Sequence, residues 1–254
     1  MNIKMVVTDL DRTLLRTDKT ISAYTSDVFR RCQTRGIKVV FATARPKRTV
    51  KHFFDNIPAD ALILHNGAAV FIGDSLFSHC GIASAATRQI LLSYNRDYPD
   101  ATLSVEIDDV FYANFDVSTV WNYTEAIRTD FTDLPDKAAE KIIVGVSGAE
   151  DIDKYSKYLT DGLYIELNDG KLGLIMNKGA TKLKAVQALT QHYSYELHEV
   201  AAFGDDYNDL GMIKECGIGV AMDNALDEVK AVADYICDTN DNDGVAQWIE
   251  ENVL

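Results

Sequence analysis

Cysteine is scarce in this chain, and Cys32, Cys80, Cys216 and Cys237 stand far apart with no CxxC pair. Neither a thiolate zinc site nor a disulfide framework is suggested, and Cys216 and Cys237, set beside apolar residues, read as small core residues. The five histidines form no HExxH or similar ligand pair. His65 ends an apolar run and reads as a hydrogen-bonded structural residue rather than a ligand. Long apolar runs are missing, and Met1-Asn2-Ile3-Lys4 leads straight into the first β-rich stretch. No membrane span or leader is therefore expected, and a cytoplasmic address is the default. Positive charge is short as well: Lys+Arg 25 against Asp+Glu 39 leaves a net charge of −14. Such a surface repels nucleic acid and anionic membrane. Phosphate chemistry would then need local positive charge, from a metal and a few placed Lys or Arg.

What is present is an ordinary globular composition, 47% hydrophobic and 25% charged over 254 residues, enough for a core and a smaller second domain. At both ends, short β-rich runs alternate with helical patterns. "IKMVVTDL" precedes a helix with Ser22 as N-cap and Gly36 as stop. "IKVVFATAR" follows, then a helix opened by Pro46 as its first residue (46–57), then "ALILHNGA". The C-terminal part continues with "KLKAVQALTQHY", "EVAAFGDD", "YNDLGMIKECG" and "GIGVAM". This order predicts an α/β fold, a doubly wound parallel sheet of Rossmann-like type made by residues 1–81 and 178–254. The middle, 82–177, has longer, partly alternating strands and a hairpin turning at Asn168-Asp169-Gly170, and reads as an inserted α+β domain.

The buried strands end in a particular set of polar residues. The first ends at Asp9 and Asp11, the second at Thr43 and Arg45, the third at Asn66 and Gly67. The strand before Gly204 ends at Asp205, with Asp206, Asn208 and Asp209 behind it. In an open parallel sheet these carboxyl ends share one ligand-binding edge. If strand geometry persists, Asp9 and Asp11 face the same side, and at ~5 Å their repulsion is about 3 kcal/mol, which a divalent cation would offset. A solvated acidic turn is the alternative reading of that stretch.

"DLDRTLL", "FATARP", "NKGATK" and "GDDYND", in that order with a large insert between the second and third, resemble the motifs of the haloacid dehalogenase superfamily. The insert is similar to the cap of its Cof-type sugar-phosphatase branch, and the resemblance extends to "HNGA", "VAMDNA" and "NDNDGVA". It implies Asp9 as nucleophile forming an aspartyl-phosphate, and Asp11 as the acid and base serving the leaving group and water. It implies Mg²⁺ held by Asp9, Asp11 through its backbone carbonyl, and Asp205, with Asp209 and Asn208 supporting the metal or the lysine. Thr43 and Lys182 would hold the phosphoryl oxygens, with Arg45, Asn66, Gly67 and Asn208 completing the substrate site. Lys178 is a rival for the lysine role, which the spacing of "NKGATK" assigns to Lys182. Asp206 reads as a helix cap.

Two positions depart from that pattern, Arg12 and Asp223, where the family commonly has glycine. Arg12 reads as a solvated loop residue, or else meets a second anionic group of the substrate. The expected function is hydrolysis of a small phosphomonoester, a sugar phosphate by resemblance, by a monomer or homodimer. The leaving group would be read by the insert, with Asp108, Asp109, Tyr112, Asn114 and Trp121 as candidates, although aromatics on such a strand are more often packing. The alternatives are a phosphotransferase or phosphomutase on sugar phosphates, and a non-catalytic phospho-acceptor module resembling a receiver. Against the last, the third strand ends without an aspartate.

Overall fold

Met5–Thr8, the sequence MVVT, is wholly buried and forms β1, hydrogen-bonded on both sides to parallel neighbours. A strand buried on both faces needs a continuous apolar run rather than alternation, which is what this stretch supplies. The computed structural model describes every residue except Met1, Asn56, Pro58, 122–124 and Asp169. From β1 the chain runs through α1 (Ala23–Thr34), β2 (Lys38–Ala42), α2 (Lys47–Val50) and β3 (Ala61–Leu64). The side chain of Ser22 accepts from Thr25 N at 2.9 Å to start α1, and Gly36, at φ +78°, follows its end. Pro46 is the cap of α2 rather than its first residue, and the helix tightens to a 3₁₀ turn over Lys51–Asp55. Asn56, within the helix expected over 46–57, lies outside the described residues.

After β3 the sheet departs from the purely parallel expectation. β4 (Ala69–Ile72) and β5 (Ser75–His79) continue the same sheet antiparallel to β3 and to each other. The four residues between β3 and β4 are too few for a crossover, so the chain can only turn back. The chain resumes this sheet after the insert with α5 (Lys182–Tyr193), β12 (Val200–Gly204), α6 (Leu210–Glu215), β13 (Ile218–Met222), α7 (Asp227–Lys230), β14 (Tyr235–Cys237) and α8 (Gly244–Asn252). The strand order is β14-β13-β12-β1-β2-β3-β4-β5. α1 packs against α8, and α5 against α6. Their shared core includes Val6, Val7, Phe29, Phe41, Leu189, Phe203 and Ile249.

The chain divides into two compact units, Met1–His79 with Thr181–Leu254, and Cys80–Ala180. The second holds α3 (Ser84–Asp97), β6 (Leu103–Ile107), β7 (Val110–Ala113), β8 (Ile127–Arg128), β9 (Lys141–Gly145), α4 (Glu150–Ser156), β10 (Leu163–Asn168) and β11 (Leu172–Asn177). Its sheet runs β10-β11-β9-β6-β7-β8, antiparallel except where β8 joins β7. The β10–β11 hairpin is as expected, with Gly170 at φ +67°, while Asp169 of its turn lies outside the described residues. Tyr94 and Tyr155 meet edge to face at 4.9 Å in the core of this unit. Among the described residues, no helix is long and apolar enough to cross a membrane.

Candidate active site

Parallel register brings the strand ends of the first unit level. Thr8 lies opposite Phe203 on one side and Phe41 on the other, so Asp9, Thr43 and Asp205 follow at one edge of the sheet. Asp9, Asp205 and Asp209 are all buried, and each offers a carboxylate oxygen within 4.8 Å of the others. Three carboxylates in that space repel one another, and a single ammonium lies between two of them. Lys182 Nζ lies 2.6 Å from Asp9 Oδ1 and 2.7 Å from Asp209 Oδ1, with no exposed side-chain surface.

Backbone packing fixes that lysine. Lys182 opens α5 behind the N-cap Thr181, whose hydroxyl accepts from Lys184 N at 3.2 Å. Thr181 in turn presses against Gly67, at φ +105°, where an added Cβ would lie 2.4 Å from Thr181 O. Only glycine lets the turn after β3 touch the start of this helix. Gly204 serves likewise, since a Cβ there would lie 2.4 Å from the Cβ of Asp209. Lys178, the rival lysine, is exposed and belongs to the other unit.

Burial pushes the Asp9 carboxyl up to about 8 against the pull of Lys182, and the charges of Asp209 and Asp205 add to the rise. Burial likewise pushes Asp205 up to about 6, despite a hydrogen bond from Thr13. For Lys182, burial works against the charge, but Asp209 and Asp9 outweigh it and raise its pKa, keeping it an ammonium. The site is thus short of positive charge. Both oxygens of Asp209 are engaged: Oδ1 accepts from Lys182, and Oδ2 accepts from Asp205 N at 3.0 Å and Asp206 N at 3.2 Å. Asp205 Oδ1 accepts from Thr13 Oγ1 at 2.7 Å. All three acids could hold a hard cation, the second oxygens of Asp9 and Asp205 being the less engaged, while Asp209 also braces the lysine and the loop.

The Asp11 side chain does not lie where persisting strand geometry would put it, beside that of Asp9. Strand geometry stops at Thr8, and Arg12 turns at φ +60°, so Asp11 does not point into the acidic group beside Asp9. Its carboxylate forks onto Arg45, Nε to Oδ2 at 2.5 Å and Nη2 to Oδ1 at 2.6 Å, and accepts from Lys19 Nζ at 2.7 Å. Burial pushes this carboxyl up, but the Arg45 and Lys19 hydrogen bonds outweigh it and hold the pKa below the usual range. The crowding expected between Asp9 and Asp11 is found instead among Asp9, Asp205 and Asp209. Arg45 is spent on Asp11 and stacks over Phe53 at 5.5 Å.

The remaining expected residues form the scaffold around this group. Thr43 is buried; its N–H donates to Ile63 O at 2.8 Å and its Oγ1 accepts from Arg45 N at 3.2 Å. Asn66 N donates to Thr43 O at 3.0 Å, and Asn66 Oδ1 accepts from Asn208 Nδ2 at 3.0 Å, tying the third strand's end to the loop after β12. Asp206 caps the 3₁₀ turn Tyr207–Asp209, accepting from Tyr207 N at 2.7 Å. Thr13 and Lys19 were not foreseen. A buried threonine two residues past the acids was the available signal for Thr13; nothing marked Lys19, in an exposed loop.

The candidates in the other unit are largely engaged in its own structure. Asn114 Oδ1 accepts from Leu103 N at 2.9 Å and its Nδ2 donates to Ala101 O at 3.0 Å. Trp121 packs edge to face on Phe111 at 5.5 Å. Asp108 and Asp109 turn the β6–β7 connection at φ +55° and +62°, with Asp108 paired to Lys137. Tyr112 lies on β7, half-buried against that unit's core.

Residues 6–249 match the family model of the haloacid dehalogenase-like hydrolases. A Bacillus subtilis protein named 5-amino-6-(5-phospho-D-ribitylamino)uracil phosphatase YcsE is 30% identical over 100% of this chain and 97% of its own length. The solved phosphatase BT1666 of Bacteroides thetaiotaomicron, at 25% identity, covers 98% of this chain and 94% of its own with a TM-score of 0.84. A solved subclass IIB sugar phosphatase of the haloacid dehalogenase superfamily shares the fold, at 22% identity, 98% coverage of both chains and a TM-score of 0.83. The chain belongs to the haloacid dehalogenase-like hydrolases, the family that its four motifs resemble, and to the Cof-type phosphatase branch that its insert resembles.

Proposed function

We propose that the protein hydrolyses small phosphomonoesters of the sugar-phosphate class with Mg²⁺, through a phosphoryl group carried on Asp9. The observation that carries this reading is the trio of buried carboxylates, Asp9, Asp205 and Asp209, at the carboxyl edge of the parallel strands, with the buried ammonium of Lys182 between Asp9 and Asp209. Such a group suits a divalent cation, which would be held by Asp9 and Asp205 and would offset negative charge as the phosphate approaches.

In the proposed reaction an Asp9 oxygen forms a bond to phosphorus while the ester P–O bond breaks, and the leaving oxygen takes a proton from Asp11. Water then attacks the same phosphorus, gives its proton to Asp11, and releases phosphate with Asp9 restored. Lys182 and Thr43 would hold the phosphoryl oxygens, Lys182 as the local cation that an acidic protein needs. Asp11, held by Arg45 and Lys19, is in the form that accepts a proton from water. Donating one requires its release from both cations. A sugar-like leaving group is supported by relatives named for sugar phosphates and for a phosphorylated ribityl compound. The residues of 82–177 that would read it remain part of this proposal.

Phosphate release from a panel of sugar, polyol and aryl phosphates, with Mg²⁺ or chelator, tests the reading. Turnover that needs Mg²⁺ and is lost in Asp9→Asn is expected. Turnover indifferent to both would overturn it.

A further inference from the structure

Arg12 follows Asp11 in the turn after β1, and its backbone, at φ +60°, has the left-handed conformation that glycine adopts freely and other residues rarely do. That turn is pinned from across the site. Asn224 Nδ2 donates to Arg12 O at 2.7 Å, and Arg12 Nη2 donates back to Asn224 O at 3.1 Å. Asn224 is itself braced, its Oδ1 accepting from Asn240 N at 3.0 Å. The guanidinium is therefore tethered at one end rather than free to sweep through solvent. Its other edge faces the site, with Nε 3.6 Å from Asp205 Oδ2. Asp205 Oδ1 accepts from Thr13 Oγ1, so Oδ2, beside the guanidinium, is the less engaged oxygen for a cation.

We propose that Arg12 competes with the divalent cation for Asp205 and sets the metal affinity of the site below what its carboxylates alone would give. The proposal rests on the reading of Asp9 and Asp205 as metal-holding residues. A cation arriving at Asp205 Oδ2 must share it with, or displace, a positive charge already beside it. For a divalent ion about 5 Å from a guanidinium, even the dielectric of water weakens binding on the order of tenfold. The Arg12 side chain is 61% exposed, so salt screens part of that effect and the guanidinium has solvent to move into. With no metal bound, the same contact supplies part of the charge that the carboxylates lack. Arg12 is in this account a positioning residue that acts through Asp205, and it takes no part in proton transfer.

Calorimetric titration of the full-length protein with MgCl₂ at fixed ionic strength separates the possibilities. Arg12→Gln keeps a side chain on the left-handed turn and removes only the charge, whereas Arg12→Gly would also relieve the backbone. Arg12→Gln is expected to bind Mg²⁺ on the order of tenfold more tightly than wild type, Arg12→Lys to remain near wild type, and Asp205→Asn to lose binding in either background. If Asp205→Asn abolishes binding but Arg12→Gln binds no more tightly than wild type, the competition is overturned and the metal site stands. If no variant binds Mg²⁺, the metal site itself is overturned and the competition with it.

Discussion

Lys182 reaches Asp9 across a buried contact of 2.6 Å, so the ammonium inside this acidic core is covalently fixed to the first turn of α5. Removing it leaves Asp9 and Asp209 facing each other with no cation between them, Asp209 keeping only its backbone N–H donors from Asp205 and Asp206. Lys182→Met should therefore cost about 3–5 kcal/mol of stability in metal-free protein, read as a lower urea midpoint, and should abolish phosphate release. A variant as stable as wild type would show that the pair is energetically idle.

The contact between Gly67 and Thr181 sets where that helix begins. Gly67→Ala meets both a positive φ and a backbone oxygen 2.4 Å from the new Cβ. Gly36→Ala meets only the φ of +78°, with nothing within 4 Å. The first should lose about 3 kcal/mol or more and most activity, the second about 1 kcal/mol with activity kept. Equal costs in urea unfolding would mean that the close approach is unimportant.

If Asp11 protonates the leaving group, its loss should depend on what leaves. Asp11→Asn is expected to slow hydrolysis of alkyl and sugar phosphates by about 10²–10⁴-fold, and that of nitrophenyl phosphate much less, because nitrophenolate needs no proton. Read in the single-turnover phosphorylation step, which water activation does not enter, a uniform loss across leaving groups would remove the proton-donor role.

Burial pushes three thiols up, Cys32 to about 11 and Cys216 and Cys237 to about 12, against an ordinary value of 9.0. Between about pH 9 and 12 the folded chain binds more protons than the unfolded one, so stability falls as pH rises through that window. Below it these groups impose no such cost. Half-buried Cys80 should react first with a thiol reagent at pH 8, and equally fast labelling of all four cysteines in the folded protein would contradict this.

Strand ends were legible in the sequence because a buried parallel strand leaves a continuous apolar run that stops where the polar edge begins. "MVVTDL" and "AAFGDD" told of β1 and β12, and so of Asp9 and Asp205 at one edge. Lys182 was legible from the spacing of "NKGATK" before a helix, though its burial between two carboxylates was not. The direction of Asp11 was illegible, since it depends on where β1 stops and on Arg45 and Lys19 arriving from elsewhere in the chain. The β4–β5 edge was missed for a simpler reason. Its short strands carry few apolar residues, and only the brevity of the link after Leu64 reveals that the chain must turn back.

The central claim is that Asp9 carries the phosphoryl group. Quenching the enzyme during turnover of a sugar phosphate, reducing with borohydride and sequencing the peptides by mass spectrometry tests it directly. The account predicts homoserine in place of Asp9 and nowhere else, dependent on substrate and Mg²⁺. Steady turnover with Asp9 intact in every peptide, or reduction at another carboxylate, would contradict it.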